Sequence, residues 1–598
     1  MPVRQEYVVL RGSKRERPTH HQFVGPVDAD KEIAVTLIVR PRPGGPPLPD
    51  LEHWQATPPH RRRYPAPDEY AASYGAAQAD IDAITAFAAT NGLAVLDSHP
   101  ARRSVTLKGT AAQLNRAFDT TINRYEARDP QVVPYKSTKT VNSPQATHTN
   151  AHTYHGYDGH VRLPSQLEHV VQAVVGLDNR RSGRAGIGSG DPPFARPMSV
   201  PEIAKYYNFP NTGAADQTIA VIAPSAPPGE GDRPYSGYLA SDILDLYFPG
   251  LADGAYRKPP VLNDINVTVG ANTYGNRTDA VAAGGGFVME VTQDICTCAT
   301  VAQGATINVY FTEASEQGLI ACLNRILVPE GERQPTVVTC SFGFRHSDGT
   351  IGSPSEPGSV AAIVSDLFQR LAAVGITVFM ISHDDGSNSF VGDGAAHVNY
   401  PGSDPWVTCV GGTVIGRVSD AAAPSEEWVW NNIGCPDAVG SFHGASGGGA
   451  SQTFPLPCYQ RLAGITQITD SKGNVLTNRL TPDIAGMVAC GGSGETDWLY
   501  INGHRFQMTG TSCAAPLFAG LTAVLRSALN LKLGILNPTL YQLGTSVCND
   551  VTQGNNDPGL HTPYYRSGDG WDPCTGWGSI DGTRLLDALS KMMRPAPG

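Results

Sequence analysis

A chain of 598 residues, 40% hydrophobic and only 17% charged, is too long for one core and too apolar for wholesale disorder. Its net charge of −11 is uneven: residues 1–184 carry 23 Lys and Arg against 18 Asp and Glu, a net of +5, which leaves −16 for the remainder. The acidic body argues against nucleic-acid binding, and no apolar run reaches the ~18 residues that a membrane-spanning helix needs.

Residues 1–21 read as a disordered polar start without the apolar centre of a signal peptide. Lys31–Pro41 alternates as a strand. Asp68–Asn91 has the period of one helix stopping at Gly92. Strands at Leu93–Leu96 and Ser104–Lys108, a helix at Ala111–Phe118, a strand at Thr121–Tyr125 and a helix at Leu167–Val175 follow. Residues 22–178 are therefore expected to be a small α+β sandwich. Residues 179–198 carry Arg, Gly and Pro without periodicity and read as a linker open to proteolysis.

From residue 199 to 598 the pattern changes. Strands at Thr218–Ala223, Thr306–Phe311, Thr336–Cys340, Ile376–Ile381 and Trp406–Val410 alternate with helices at Gly286–Ala302, Gln317–Ile326 and Val360–Val374. Short apolar strands between helices indicate a parallel α/β sheet, whose active residues gather at strand ends and helix starts. All eleven cysteines follow residue 295, an odd number that leaves at least one thiol free, and no CxxC pair suggests zinc.

The stretch Thr509–Gly520 leads a small-residue turn into an apolar helix with Ser512 at the junction. There a serine is either a helix cap or a nucleophile beside orphan N–H groups. A histidine base fails on context. The first strand ends in Ala223-Pro224 without an Asp, and the usable His-Gly pair, His443-Gly444, lies in a glycine-rich loop. Gly444-Ala445-Ser446-Gly447-Gly448 fits G-x-S-x-G, but no helix follows it; a glycine-rich wall that a substrate backbone can approach is expected instead.

Carboxylates do better. Glu290 and Asp294 stand i, i+4 on one face of an apolar helix. Such a pair shares a proton in the acid range, where a histidine of pKa ~6.5 is already charged. Asp384 directly follows the apolar run Val378–Ile381. Held protonated, it can donate to an oxyanion.

Glu290-x-x-x-Asp294, then Asp384, then Gly510-Thr511-Ser512-x-x-x-Pro516 closely resembles the sedolisin (serine-carboxyl peptidase) family, in its kumamolisin-like branch. The resemblance implies a subtilisin-like parallel-sheet catalytic domain preceded by a ferredoxin-like α+β activation prodomain. It implies Ser512 as nucleophile, Glu290 as general base and then acid, Asp294 as the group that orients Glu290 and shares its proton, and Asp384 at the oxyanion with the Ser512 N–H. An acid pH optimum, protein or peptide substrates, the prodomain as intramolecular inhibitor, a monomer and export from the cell are expected with it. In the tail, Asn549–Thr552 and Gly568–Gly576 resemble the family's calcium site. That match assigns one structural Ca²⁺ to the carboxylates of Asp550 and Asp572 and the carbonyls of Val551, Gly568 and Gly570.

The chain also departs from the family. Ala223-Pro224 offers no further acid, Phe342 stands where an indole is usual, Asn399 replaces an acid that favours basic substrates, and His383, if charged, would lower the pKa of Asp384. Two rival readings remain at this stage: a neutral, histidine-dependent subtilisin-like protease, and a catalytically silent, calcium-stabilised binding protein on the same fold.

Overall fold

Ile33, Val35, Leu37 and Val39 alternate inward along Glu32–Val39 and seed the first core. The computed structural model describes residues 6–593 except 18–20, 129–150, 181–182, 186–197, 226–235, 283–286, 345–347, 390, 416–425, 434–443, 493–495 and 560. Four antiparallel strands lie in the order Ala94–His99, Ser104–Thr110, Glu32–Val39, Val171–Val175. The helices Gln78–Thr90 and Ala111–Ala117 pack Ile81, Ile84, Phe87 and Leu114 into the same core. The chain order strand-helix-strand-strand-helix-strand is ferredoxin-like.

Three local expectations change. The helix expected over Leu167–Val175 is a strand, Val171–Val175, whose alternate residues face the core as it pairs with Glu32–Val39. Its β-branched residues fit that edge, and long-range pairing outweighs the local pattern. The helix expected over Asp68–Asn91 is two, Pro67–Tyr74 and Gln78–Thr90. The break follows Gly75, where the Ala76 N–H leaves the helix to donate to the Pro100 carbonyl at 2.9 Å. Within the start expected to be disordered, Tyr7–Val9 pairs antiparallel with Arg162–Pro164 and Leu10 joins the core; a second short sheet begins at His21–Pro26.

The second unit is built on a nine-stranded sheet. Seven strands run parallel in the order Val261–Val269, Thr306–Glu313, Thr218–Ser225, Val337–Cys340, Thr377–Ile381, Thr408–Ile415, Ile484–Met487. Short antiparallel strands, Asn272–Tyr274 and Glu427–Val429, pair with Val261–Val269 and Thr408–Ile415. The helix Val288–Val301 begins two residues later than expected; Gly286 lies outside the described residues.

The helix Thr511–Leu529 is, among the described residues, the one long and apolar enough to cross a membrane, and most of it is buried inside the protein. It packs on Val288–Val301 and on the strands Val337–Cys340 and Thr377–Ile381. Gly520 allows that approach: a Cβ there would stand 2.7 Å from the Cys298 carbonyl oxygen and 2.8 Å from Cβ of Val301.

Opposite charges join the two units. Arg15 pairs with Glu316 at 2.7 Å, Arg102 with Glu330, and Arg103 with Asp366. In each pair the N-terminal unit supplies the base and the C-terminal unit the acid. Arg62, buried, donates to the carbonyls of Leu533 at 2.6 Å and Ile535 at 2.7 Å. In the linker, Gly183–Ala185 forms an antiparallel strand on Phe342–Phe344, with Arg184 opposite Gly343; linker residues 181–182 and 186–197 lie outside the described residues.

Candidate active site

Ser512 is fully buried in the first turn of Thr511–Leu529, behind Gly510 with φ of 151°. That placement sets its hydroxyl at the positive end of the helix. Glu290 and Asp294, both fully buried, project from the helix packed alongside. The packing at Gly520 is what brings the acids and the serine together.

Burial raises both carboxyls well above their ordinary values, and the neighbouring charge of Asp294 raises Glu290 further. The hydroxyls of Ser512 and Ser341 pull Glu290 the other way. Ser341 donates to Asp294 Oδ1 at 2.7 Å from the end of Val337–Cys340. Sequence reasoning gave Ser341 no role, although a hydroxyl at a strand end beside a buried acid is the signal that points to it. Phe342 packs its ring edge-to-face on Phe287, centroids 5.3 Å apart, at the start of the acid-bearing helix.

Asp384 is buried just past Thr377–Ile381. Its Oδ1 accepts from the backbone N–H of Thr511 at 2.8 Å and from the Thr511 hydroxyl at 2.7 Å. A Cβ at Gly510 would stand 2.9 Å from Asp384 Oδ2. All four expected residues therefore converge around one helix start. His383 does not act there as a cation. Its Nδ1 accepts from the Asp384 N–H at 3.1 Å, which requires a lone pair on that nitrogen.

The glycine-rich loop differs from the expected substrate wall. Ala445 N–H donates to the Asp384 carbonyl at 2.8 Å and Gly447 N–H to that of His383 at 2.9 Å. A Cβ at Gly447 would fall 2.0 Å from the Ser382 oxygen, so glycine serves close approach to the chain's own backbone. The Ser446 hydroxyl donates to the Cys574 carbonyl at 2.7 Å and accepts from Gly412 N–H at 2.9 Å, which occupies it structurally. His443 lies outside the described residues.

Cys490 and Cys513 form a disulfide beside Ser512, a pairing that spacing alone did not indicate; the eight other described cysteines are free and buried.

The pairing of Cys548–Asn549 with Ser579–Ile580 brings the two tail loops together. Asp550 Oδ2 accepts from Gly570 N–H at 2.7 Å. Asp572 accepts from the N–H groups of Cys574 at 2.7 Å and Thr575 at 2.9 Å, and burial pushes its carboxyl up to about 7. Among the described residues no basic side chain pairs with either acid, and no group of three or more His, Cys, Asp or Glu is placed to hold a metal ion by side chains alone. Two acids without a basic partner, on loops held side by side, offer oxygen donors of the kind that Ca²⁺ takes.

Comparison with known proteins follows the same line. Residues 19–180 match the family described as "Pro-kumamolisin, activation domain". The chain is 37% identical to tripeptidyl-peptidase sed5 of Aspergillus fumigatus over 98% of each chain. The chain belongs to the sedolisin (serine-carboxyl peptidase) family. It is also 31% identical to kumamolisin of a Bacillus species, over 97% of this chain and 96% of that one, and 26% identical to sedolisin of a Pseudomonas species, over 86% and 80%. The ferredoxin-like unit is thus the family's activation prodomain and the parallel-sheet unit its subtilisin-like catalytic domain. The protein is a serine-type peptidase made as a precursor.

Proposed function

We propose that this precursor matures at acid pH into a calcium-bound peptidase that works through an acyl-enzyme on Ser512. The observation that carries this reading is the fully buried Glu290–Asp294 pair set against a serine at a helix N-terminus. Two such acids cannot both ionise cheaply and hold a proton between them.

Ser512 Oγ attacks the substrate carbonyl as its proton passes to Glu290. Asp294, oriented by Ser341, shares that proton and keeps Glu290 basic enough to accept it. Thr511 occupies Asp384 Oδ1 as an acceptor, which supports Oδ2 as the oxygen that carries the proton when the acid is neutral. That O–H and the Ser512 N–H stabilise the oxyanion. Glu290 then protonates the leaving amine, and water repeats the sequence to release the acyl group. The carboxylates of Asp550 and Asp572 and the carbonyls of Val551, Gly568 and Gly570 would hold a structural Ca²⁺, which would tie together loops that lean on Ser446 and so on Asp384.

The ion pairs from Arg15, Arg102 and Arg103 support the prodomain as inhibitor at neutral pH, released as carboxylates take up protons below about pH 5. The linker strand on Phe342–Phe344 supports first cleavage within residues 179–198. The Cys490–Cys513 bridge supports an oxidising, exported destination. A relative named as a tripeptidyl-peptidase supports testing amino-terminal tripeptide release beside internal cleavage.

The test is incubation of purified precursor at pH 4 and pH 7, with N-terminal sequencing of the product and a peptide-library cleavage profile, alongside Ser512→Ala and Glu290→Gln. Processing and peptide hydrolysis at pH 4 in the parent alone are expected. Equal stability of the full-length chain at both pH values, or self-processing by Ser512→Ala, would overturn the proposal.

A further inference from the structure

Pro516 creates a local deficit at the nucleophile. In an α-helix the carbonyl of residue 512 accepts from the N–H of residue 516, and here residue 516 is proline, which has none. The Ser512 carbonyl is therefore left without its regular helical donor, inside a fully buried residue.

Gln293, also fully buried, stands on the neighbouring helix between Glu290 and Asp294. Of its two amide orientations, only one matches donors to acceptors at both ends. In that orientation the amide nitrogen donates to the Ser512 carbonyl and to Asp294 Oδ1, each at 3.2 Å, and the amide oxygen accepts from the Thr297 hydroxyl at 2.8 Å. In the opposite orientation the nitrogen meets Thr297 at 2.8 Å and the Cys490 sulfur at 3.8 Å, and faces the oxygens with oxygen. The assignment follows from donor and acceptor matching.

We propose that Gln293 is a positioning residue that replaces the helical hydrogen bond lost to Pro516 and, through the same amide nitrogen, locks the nucleophile's backbone to the acid pair. It touches no reacting atom. It fixes the distance between the helix that carries Ser512 and the helix that carries Glu290 and Asp294, and an N–H donated to Asp294 favours its charged form. This inference rests on the reading of Glu290 and Asp294 as the acid/base pair.

The groups that face Asp294 are acids throughout. Glu290 and Cys298 lie on its own helix and Cys340 on the neighbouring strand; Asp384 acts on Glu290 from the loop after Thr377–Ile381, and Ser341 adds a neutral donor. The thiols of Cys298 and Cys340 are raised by burial, out of the acid range. In that range the carboxyls titrate, and among the described residues the Gln293 N–H and the Ser341 hydroxyl both donate to Asp294 Oδ1.

Gln293→Met keeps the length of the side chain and removes the donor. Two readouts separate the ideas. The first is titration of the Asp294 carboxyl by NMR with ¹³C-labelled aspartate, in a Ser512→Ala background that needs no catalysis. The second is the pH profile of kcat/KM in the active enzyme. Losing the donor should raise the carboxyl's midpoint and the acid limb of kcat/KM by about one pH unit, and lower kcat about tenfold with KM within about twofold. Gln293→Glu offers an O–H donor only while it is protonated, so its activity should approach the parent's at the acid end and fall away with rising pH. An unmoved carboxyl midpoint in a folded Gln293→Met protein overturns the inference, and Gln293→Leu repeats the measurement if Met does not fold. A raised midpoint with an unmoved kinetic limb supports Gln293 in its place and overturns instead the acid/base reading of the pair.

Discussion

Asp384 reaches back to the residue before the nucleophile, and its Oδ1 accepts both hydrogen bonds that Thr511 can donate, at 2.8 and 2.7 Å. The candidate oxyanion donor is thereby held by the same helix start that presents Ser512. Asp384→Ala should lower kcat roughly 10²- to 10³-fold and leave KM nearly unchanged, because only the transition state carries the charge. Thr511→Val keeps one of the two donors and should cost about tenfold. Steady-state kinetics on a peptide ester and a peptide amide measures both.

Glu290→Gln should remove about 10²- to 10⁴-fold of kcat. It should also stabilise the fold at neutral pH. Because the folded state raises the Glu290 carboxyl, the native protein binds more protons than the unfolded one above the ordinary carboxyl range. Stability is then lost as pH rises from about 4.3 through the raised folded value. The neutral amide lacks that loss. Melting in the variant should exceed the parent's by about 2 °C or more at pH 7 and match it near pH 3.5. Equal melting curves at pH 7 would show that burial is not what raises the pair.

Asp366 is shared by Arg103 from the prodomain and by Arg370, whose Nε lies 3.0 Å away. Arg103→Met removes the prodomain's side of that partly buried contact. It should weaken docking by about 2 kcal/mol or more and let the precursor convert near pH 6, where the parent stays intact. Time courses on gels at pH 4, 5 and 6 follow this directly. An unchanged pH threshold for conversion would remove the ion pair from the inhibitory contact.

Calcium removal should matter more at pH 7 than at pH 4. Burial pushes the Asp572 carboxyl up to about 7 without a cation, so ionising it costs folded-state stability across the interval from about 4 to 7. A bound cation reverses that loss, and the melting shift on adding EDTA should grow over the same interval. Asp572→Asn should melt early and respond little to EDTA. A chelator effect independent of pH would dissociate Asp572 from the metal.

The bridge between Cys490 and Cys513 closes a sequence separation of 23 residues that ends one residue past the nucleophile. Chain-entropy arguments put the stabilisation near 3 kcal/mol. Cys490→Ala with Cys513→Ala should lower the melting temperature by several degrees and raise protease sensitivity around residue 490. A reductant should do the same to the parent but leave the double variant unaffected.

Much of this was legible in the sequence. The alternation of apolar strands and helices after residue 199 fixes a parallel sheet, the i, i+4 spacing sets Glu290 and Asp294 on one helix face, and their convergence with Asp384 and Ser512 is what the family resemblance implies. The misreadings concern segments whose partners are far away in sequence. Val171–Val175 is a strand because Glu32–Val39 lies beside it, and Tyr7–Val9 is ordered because Arg162–Pro164 receives it. The supports of the site were hidden for the same reason. Ser341, Thr511 and Gln293 look like ordinary polar residues until packing supplies the acid or carbonyl that each one serves.

The short strand Gly183–Ala185 on Phe342–Phe344 has a kinetic consequence. A segment tethered at both ends meets the strand it pairs with at an effective concentration of order ~1 mM, whatever the concentration of protein around it. A peptide substrate present at micromolar levels competes poorly with such an occupant. Maturation should accordingly be first order in precursor and indifferent to dilution, and once the tether is cut the occupant becomes a dissociable ligand. Under the proposed acid trigger the precursor would behave as a timer, with a rate set inside each molecule and not by how many others have already matured.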